Sequence, residues 1–318
     1  MSPSTLSFPT RRLRQGGLTL VELMVAMLLG LVVIGAVVSV LLSSRQSYAT
    51  NNGLGQLQDN ARIAFELMAR DIRQAGSSPC GNSTINDVLN GNGWYRWVNG
   101  AGLFGVDDAS TLTPLPVSPA PTANMPSIVT RGVGQVSADA ITAGAACTAG
   151  APMANAPTDV GIGTNDLVMT CDGTQAYIYQ TAAFNAGLPV ATGGTPGNSS
   201  QLGCASFGSS GYVAPYQAHA WYLGAAGAGA PAGTQSLYRA HYAGNALVSD
   251  EIIRGVTNLR IAYLTTGTDF VNAAAVGTAW NTVSTVRLTL TMQTLTNPNN
   301  TTSPEPLVRT FDTTIRVR

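Results

Sequence analysis

Apolar residues form one long block near the start of the chain and shorter periodic patterns after it. Within residues 18–43 the only charged residue is Glu22. A block of this length is typical of a bilayer-spanning helix, which needs about 20 apolar residues. A secretory signal peptide has an apolar core of only about 7–15 residues followed by small residues, whereas here Gly17 precedes the block. We therefore predict a transmembrane helix over residues 18–43.

A second helical pattern covers residues 54–75, where apolar residues recur every three or four positions. This spacing is typical of a helix with one buried face. The apolar positions are Leu54, Leu57, Ala61, Ala64, Phe65, Met68 and Ile72. Gly76 follows the pattern and is expected to end the helix. Gly53 and Gly55 each weaken a helix by about 1 kcal/mol, so we expect a bend or frayed segment between the two helical halves.

Two-residue alternation, typical of β-strands, dominates the chain after residue 166. Residues 167–171 and 176–180 flank Asp172-Gly173, a pair that favours a hairpin turn. Further strand patterns cover residues 218–223, 237–242, 258–264, 286–292 and 311–317. Such runs predict an antiparallel sheet with one face in water and the other free to cover a helix. The expected fold class is α+β: a long N-terminal α-helix, half transmembrane and half amphipathic, packed on a globular head rich in antiparallel sheet.

The segment between residues 76 and 165 has no clear period. Trp94, Tyr95 and Trp97 lie there among Asn and Gly residues. We interpret these aromatic residues as core or sheet packing, and the alternative is a patch that recognises a sugar or a partner protein. The five prolines between positions 114 and 126 predict an extended, loop-like stretch.

Charge is sparse and balanced. The chain has 16 basic residues, all of them Arg, and 16 acidic residues, so the formal net charge is zero. Binding to nucleic acid through bulk positive charge is therefore not expected. Arg11, Arg12 and Arg14 precede the apolar block, and this bias places the N-terminus in the cytoplasm and the residues beyond Arg45 in the periplasm.

Four cysteines lie in the part expected to be periplasmic, where disulfides form. They are Cys80, Cys147, Cys171 and Cys204. Four cysteines allow three pairings, and spacing does not choose among them. None forms a Cys-x-x-Cys pair or lies near a histidine, so no zinc site is predicted. Asp107-Asp108 is far short of the 6–8 oxygen ligands of calcium. We expect no metal and no cofactor.

The motifs of several common enzyme classes are missing from the sequence. There is no nucleophile elbow, P-loop or dinucleotide-binding pattern. His219 and His241 lie in strand-like stretches beside aromatic residues, and we interpret them as ordinary packed histidines. We predict that the protein is not an enzyme. A membrane-anchored periplasmic enzyme is the alternative from a different functional class.

Residues 17–23 read Gly-Leu-Thr-Leu-Val-Glu-Leu and follow a basic leader. This arrangement resembles the prepilin signature of type IV pilins and of the pseudopilins of type II secretion. The resemblance implies that prepilin peptidase cuts after Gly17, removes residues 1–17 and methylates the new amino group of Leu18. It also implies that Glu22 guides docking into a filament. Glu22 would do so by neutralising the α-amino group on its own chain or on a neighbour.

A closer resemblance lies in the second helix and in patches of the last 150 residues. Residues 70–76 read Arg-Asp-Ile-Arg-Gln-Ala-Gly and are followed closely by Cys80, and Asp166-Leu167-Val168 leads to Cys171. These phrases resemble the PilW family of type IV pilus minor pilins. Because both cysteines fall in matching phrases, the resemblance implies a Cys80–Cys171 disulfide, and the pairing that accompanies it is Cys147–Cys204.

The PilW resemblance implies a low-abundance fimbrial subunit that primes pilus assembly and sits at or near the tip, supporting adhesion and twitching motility. Its partners would be other minor pilins and the major pilin, prepilin peptidase, the inner-membrane assembly platform and a tip adhesin. It would cross the inner membrane once before assembly and reach the pilus surface afterwards. The expected regions are the leader 1–17, the span 18–43 and the periplasmic head 44–318. A J-type pseudopilin of type II secretion is the nearest alternative.

Overall fold

A computed structural model describes most of the chain, in two compact units that cover Met1–Asn52 and Gly53–Arg318. The described residues are Gly17, 19–81, 84–97, 100–115, 119–133, 139–146, 154–155, 161–182, 193–199, 205–207, 211–295 and 306–317. The first unit contains the start of helix α1 (Leu20–Gln74). The second unit contains the end of that helix and the strands.

Helix α1 continues through both glycines at which a bend or frayed segment was expected, so the helix is not frayed there. Gly53 lies against the head, where a Cβ atom would come within 3.1 Å of Thr294 Cγ2. The missing side chain therefore permits close packing. Local helix propensity is a weak preference that such tertiary contacts commonly override.

The amphipathic half of α1 buries one face in the head, as its spacing predicts. Leu57, Ala61, Ala64, Met68 and Ile72 are all buried. Their neighbours in the core come from the last three strands and from the middle of the larger sheet. Two alanines on this face keep the helix close to the sheet, because their side chains are short.

The strands follow one another along the chain from residue 85. They are β1 (Ile85–Asp87), β2 (Leu103–Val106), β3 (Ser127–Val133), β4 (Asp139–Ala146), β5 (Ala154–Asn155), β6 (Leu167–Cys171), β7 (Ala176–Gln180), β8 (Ala205–Phe207), β9 (Gly211–Ala225), β10 (Gln235–Ala243), β11 (Ala246–Arg254), β12 (Val256–Leu264), β13 (Thr285–Gln293) and β14 (Val308–Arg316). The short helix α2 (Ala273–Val276) and two 3₁₀ turns, Ala109–Thr111 and Trp280–Thr282, complete the described elements.

Two sheets form from these strands. The smaller has the order β12-β13-β14 and is antiparallel throughout. The larger runs β1-β7-β6-β9-β10-β11, with β3 also paired to β9 and β2 paired to β3. Its described pairings are antiparallel except for β1 with β7, which is parallel. The hairpin predicted at Asp172-Gly173 is present, because β6 and β7 pair with Cys171 opposite Ala176. The α+β fold class is confirmed.

The larger sheet is buried on both faces around β9, which differs from the predicted single wet face. Trp221 and Leu223 belong to the core beneath α1. Tyr216, Ala218 and Tyr222 belong to a second core on the other side. This second core also includes Trp94 and Tyr95, which are each 4% exposed. The segment between residues 76 and 165, which had no clear period, therefore helps to cover the second face of the larger sheet. This agrees with the interpretation of its aromatic residues as core packing.

Candidate functional site

The start of α1 combines a cap, an acid and an apolar surface. Thr19 Oγ1 accepts a hydrogen bond from the backbone N of Glu22 at 3.3 Å, and Thr19 O accepts one from Leu23 N at 3.1 Å. Glu22 lies in the first turn of the helix. Unpaired N–H groups and the positive end of the helix dipole favour an acid at this position. Gly17 is exposed, and Leu18 lies outside the described residues.

The apolar side chains that follow Glu22 are largely exposed in the part of the chain that the structure describes. The large apolar residues from Leu20 to Leu42 are between 47% and 75% exposed. Leaving apolar area in water costs roughly 25 cal/mol for each Å², so this surface requires a lipid or protein environment. The helix is long and apolar enough to cross a membrane by length and composition. These features fit a membrane-anchored pilin.

The second half of α1 is tied to the head through the buried carboxylate of Asp71. Its Oδ2 accepts a hydrogen bond from Trp221 Nε1 at 2.9 Å and lies 3.1 Å from His219 Nδ1. Arg239 Nη1 lies 4.0 Å away. Sequence reasoning missed this role of Asp71. The available signal was an acid on the apolar side of the helix, next to Ile72.

The end of α1 is fastened by backbone pairing and by a disulfide. Gly76 has a positive φ of 82°, a conformation that glycine adopts without strain. Its N donates to Arg131 O at 2.8 Å, and Ser77 Oγ donates to Val133 O at 2.7 Å. A disulfide joins Cys80 to Cys171.

The chain segment after α1 is thus attached to both β3 and β6. The pairing predicted for Cys147 and Cys204 lies outside the described residues. The Cys80–Cys171 bond is the other pairing that the PilW resemblance implied.

The residues weighed for metal or enzyme chemistry have local structural partners. Asp107 accepts from the backbone N atoms of Ala273 and Ala274 at 3.0 Å and so caps α2. Asp108 accepts from Ser110, and these hydrogen bonds lower the pKa of its carboxyl. Among the described residues, no group of three or more His, Cys, Asp or Glu side chains could hold a metal ion.

The two histidines lie near one another in the larger sheet. The rings of His219 and His241 are 6.2 Å apart. His219 contacts the buried Asp71, and His241 Nδ1 lies 3.6 Å from Asp250 Oδ2. Partial burial lowers the pKa of His241, although Asp250 acts in the opposite direction. These contacts are those of packed histidines that help join strands to α1.

Comparison with known proteins bears on the N-terminal segment. Residues 12–38 match the prokaryotic N-terminal methylation motif. This match supports a type IV pilin-like or pseudopilin-like subunit that is processed by prepilin peptidase and assembled with other pilins in a membrane machinery. A structural subunit of this kind suggests no enzymatic role. No curated protein and no solved structure matches the chain significantly. Because the match ends at residue 38, it does not separate the PilW family from other pilin-like proteins.

Proposed function

We propose that this protein is a minor pilin of a type IV pilus, a subunit that primes assembly and sits at or near the tip. The observation that carries the proposal is the prepilin motif followed directly by an exposed apolar helix with one acid in its first turn. A soluble enzyme would bury such a surface, and a simple membrane anchor would not need Gly17 and Glu22 at the start of the span.

Glu22 has a specific role in this proposal. Cleavage after Gly17 creates an α-amino group on Leu18, four residues before the carboxylate. In an apolar environment two opposite charges attract much more strongly than in water. A subunit entering a filament would bring Glu22 to such an amino group on its own chain or on a neighbour, and pairing neutralises both charges. A subunit that stops at the wrong depth would leave the carboxylate and the amino group buried without each other, which is costly.

The head supports the minor-pilin assignment through its size. The compact unit that starts at Gly53 continues to the end of the chain and is covered on two sides of its larger sheet. A bulky head suits a terminal position better than a lattice position that recurs along a fibre. In this proposal residues 1–17 are removed, residues 18–43 span the inner membrane, and residues 44–318 form the periplasmic head. The assembled protein supports adhesion and twitching motility.

Substitution of Glu22 tests the proposal. Glu22→Ala should leave cleavage after Gly17 largely intact but reduce the amount of the protein in sheared pili, and Glu22→Asp should restore part of it. Glu66→Ala is the matched control, because Glu66 lies on the same helix in an exposed pair with Arg62. Equal recovery of the Glu22→Ala and control proteins in the pilus fraction would contradict the docking role.

Deletion of the gene separates the proposal from its nearest alternative. Loss of surface pili and twitching motility, with protein secretion intact, supports a minor pilin. Loss of type II secretion with normal piliation would instead identify a J-type pseudopilin. The expected partners for co-purification are other minor pilins, the major pilin, the inner-membrane platform and a tip adhesin.

A further inference from the structure

A cavity of about 370 Å³ lies in the head beside β2 and the turn after α2. Pockets that hold small ligands have volumes of roughly 300–1,000 Å³, so this cavity can accept a small molecule. The residues that decide its chemistry are Trp94, Arg96, Phe104, Arg131 and Trp280. The helical surface proposed above for assembly lies in the other compact unit, so the cavity requires a separate explanation.

Arg131 supplies a buried positive charge at this cavity. It is 4% exposed, and its Cζ lies 4.5 Å from the centroid of the Phe104 ring. One guanidinium nitrogen donates to the backbone O of Arg96, whereas Nε has no hydrogen-bond partner among the described residues. In the part of the chain that the structure describes, no carboxylate lies within 4.0 Å of this guanidinium.

The charge of Arg131 is therefore incompletely compensated. Burial lowers its pKa, and attraction to the charged Asp87 offsets this only in part. Asp87 is already engaged, because it accepts from Arg96 Nε and from Trp97 N, each at 2.7 Å. A buried charge without its own partner is costly. An anionic ligand in the cavity would relieve that cost.

The lining favours a carboxylate as the anion. Among the described residues, the lining contains two arginines and no acidic residue. A guanidinium is planar and presents parallel N–H groups, which match the two oxygens of a carboxylate. Because Nε is itself fully buried, a carboxylate in the cavity would pair with the Nη groups of Arg131.

Aromatic and neutral polar groups complete the cavity and indicate the body of the ligand. Trp280 is half-buried and packs edge-on to Phe104, with ring centroids 6.4 Å apart. Trp94 also borders the cavity but is 4% exposed, so Trp280 is the aromatic surface that a ligand can reach. Neutral hydrogen-bonding side chains also line the cavity: Asn92, Thr111, Thr113 and Thr278. Apolar faces beside neutral polar groups suit a ring that carries hydroxyl groups, because the ring packs on the aromatic residues while its hydroxyls find partners.

We propose that this cavity binds an acidic sugar, with its carboxylate paired to Arg131 and its ring packed against Trp280. The site belongs to the head alone, so it goes beyond the assembly role. A negative result would leave the assembly proposal standing.

Ligand binding to the full-length protein in mild detergent tests this inference. Glucuronic acid is the probe, and glucose is the matched neutral sugar. N-acetylphenylalanine offers a carboxylate on an aromatic body and separates a sugar site from a site for a peptide carboxyl terminus. Saturation-transfer NMR and tryptophan fluorescence report binding, since two tryptophans line the cavity. We expect glucuronic acid to bind at least about tenfold more tightly than either comparison compound.

Three variants locate the binding. Arg131→Gln removes the charge, and Trp280→Leu removes an aromatic wall at a half-buried position. Arg287→Gln is the control, because Arg287 Cζ lies 3.9 Å from the Phe270 ring centroid in a similar pairing outside the cavity. The first two should weaken glucuronic acid binding by about tenfold or more, and the control should bind as the parent does. Thermal unfolding verifies that each variant is folded. If Arg131→Gln does not fold, Trp280→Leu decides.

Three results would overturn the inference. The first is no saturation transfer to glucuronic acid at millimolar concentration with folded protein. The second is unchanged binding by the folded cavity variants. The third is equal or tighter binding of a comparison compound. Such binding of N-acetylphenylalanine would show that the sugar ring is not recognised, and such binding of glucose would show that the carboxylate is not recognised.

Discussion

Trp221 Nε1 donates a hydrogen bond to Asp71 Oδ2 across 2.9 Å, joining β9 to α1 over 150 residues of sequence. Both side chains are buried, at 0% and 5% exposure. A buried carboxylate requires such donors, because it would otherwise lose its hydration without compensation. The contact specifies which face of α1 lies on the larger sheet and therefore how the second half of the helix is attached to the head.

Removal of this hydrogen bond should destabilise the head. Trp221→Phe keeps an aromatic ring but leaves Asp71 with one donor fewer in a buried site. We expect a loss of about 1–3 kcal/mol in the free energy of unfolding, measured by urea denaturation in mild detergent. Arg62→Ala is the control, because its pair with Glu66 is exposed and should contribute little. Equal effects of the two substitutions would contradict the structural role of Asp71.

A side chain at Gly102 should disrupt the end of α1. A Cβ atom there would collide with the backbone N and Cα of Gly76. Because backbone atoms cannot move aside easily, Gly102→Ala should reduce the unfolding free energy by about 3 kcal/mol or more. Gly267→Ala is the matched control, since a Cβ at that position meets no atom within 4 Å. A Gly102→Ala protein with the parent's unfolding midpoint would show that this close approach is absent.

Loss of the disulfide should also lower stability. Cys80 and Cys171 are separated by 91 residues, and cross-links of this span stabilise by about 2–5 kcal/mol, chiefly by restricting the unfolded chain. The double substitution Cys80→Ser with Cys171→Ser should lower the thermal midpoint, and each single substitution should have a similar effect because either breaks the bond. An unchanged midpoint in the double variant would be inconsistent with the bond.

Acid should remove the stabilisation that Glu251 provides. Partial burial alone would raise the pKa of Glu251, but hydrogen bonds from Arg254, Gly227 and Ser236 together outweigh it and lower the pKa to about 2. A carboxyl whose pKa falls on folding stabilises the folded state above its ordinary pKa of 4.5 and loses that effect as acid protonates it. The Glu251→Gln variant should therefore be less stable than the parent at pH 7.

The difference between Glu251→Gln and the parent should shrink as the pH falls from about 4.5 towards 2. Thermal midpoints measured across this pH range test the expectation. Glu66→Gln serves as the control at neutral pH, where an exposed pair should contribute little. A difference for Glu251→Gln that stays constant with pH would mean that its hydrogen bonds do not favour the charged carboxylate.

Local patterns predicted much of the fold, and long-range contacts explain the rest. The helical face from Leu57 to Ile72 and the hairpin at Asp172-Gly173 follow from period and turn chemistry, which depend on neighbouring residues. The partners of Asp71 could not be predicted, because Trp221 and His219 are distant in sequence. The continuation of α1 through Gly53 likewise depends on packing against the head.

The sequence predicted the N-terminal assembly site but not the cavity in the head. Glu22 and Gly17 stand out because a basic leader, small residues and an apolar block coincide there. The cavity beside Trp280 was not predictable, since it assembles residues from β2, β3 and the turn after α2. The only indication of this cavity in the sequence was the alternative interpretation of Trp94 as part of a patch that recognises a sugar. These groups come from separate elements, and the spacing of residues along the sequence does not predict that they lie close together.

The N-terminal residue of the native protein tests the central claim most directly. Mass spectrometry of its first peptide should find a methylated Leu18 in cells with prepilin peptidase and the intact leader in cells without it. The protein should enter pili only in the first case. A protein that begins at Met1, or at any residue other than Leu18, and still assembles normally would contradict the account.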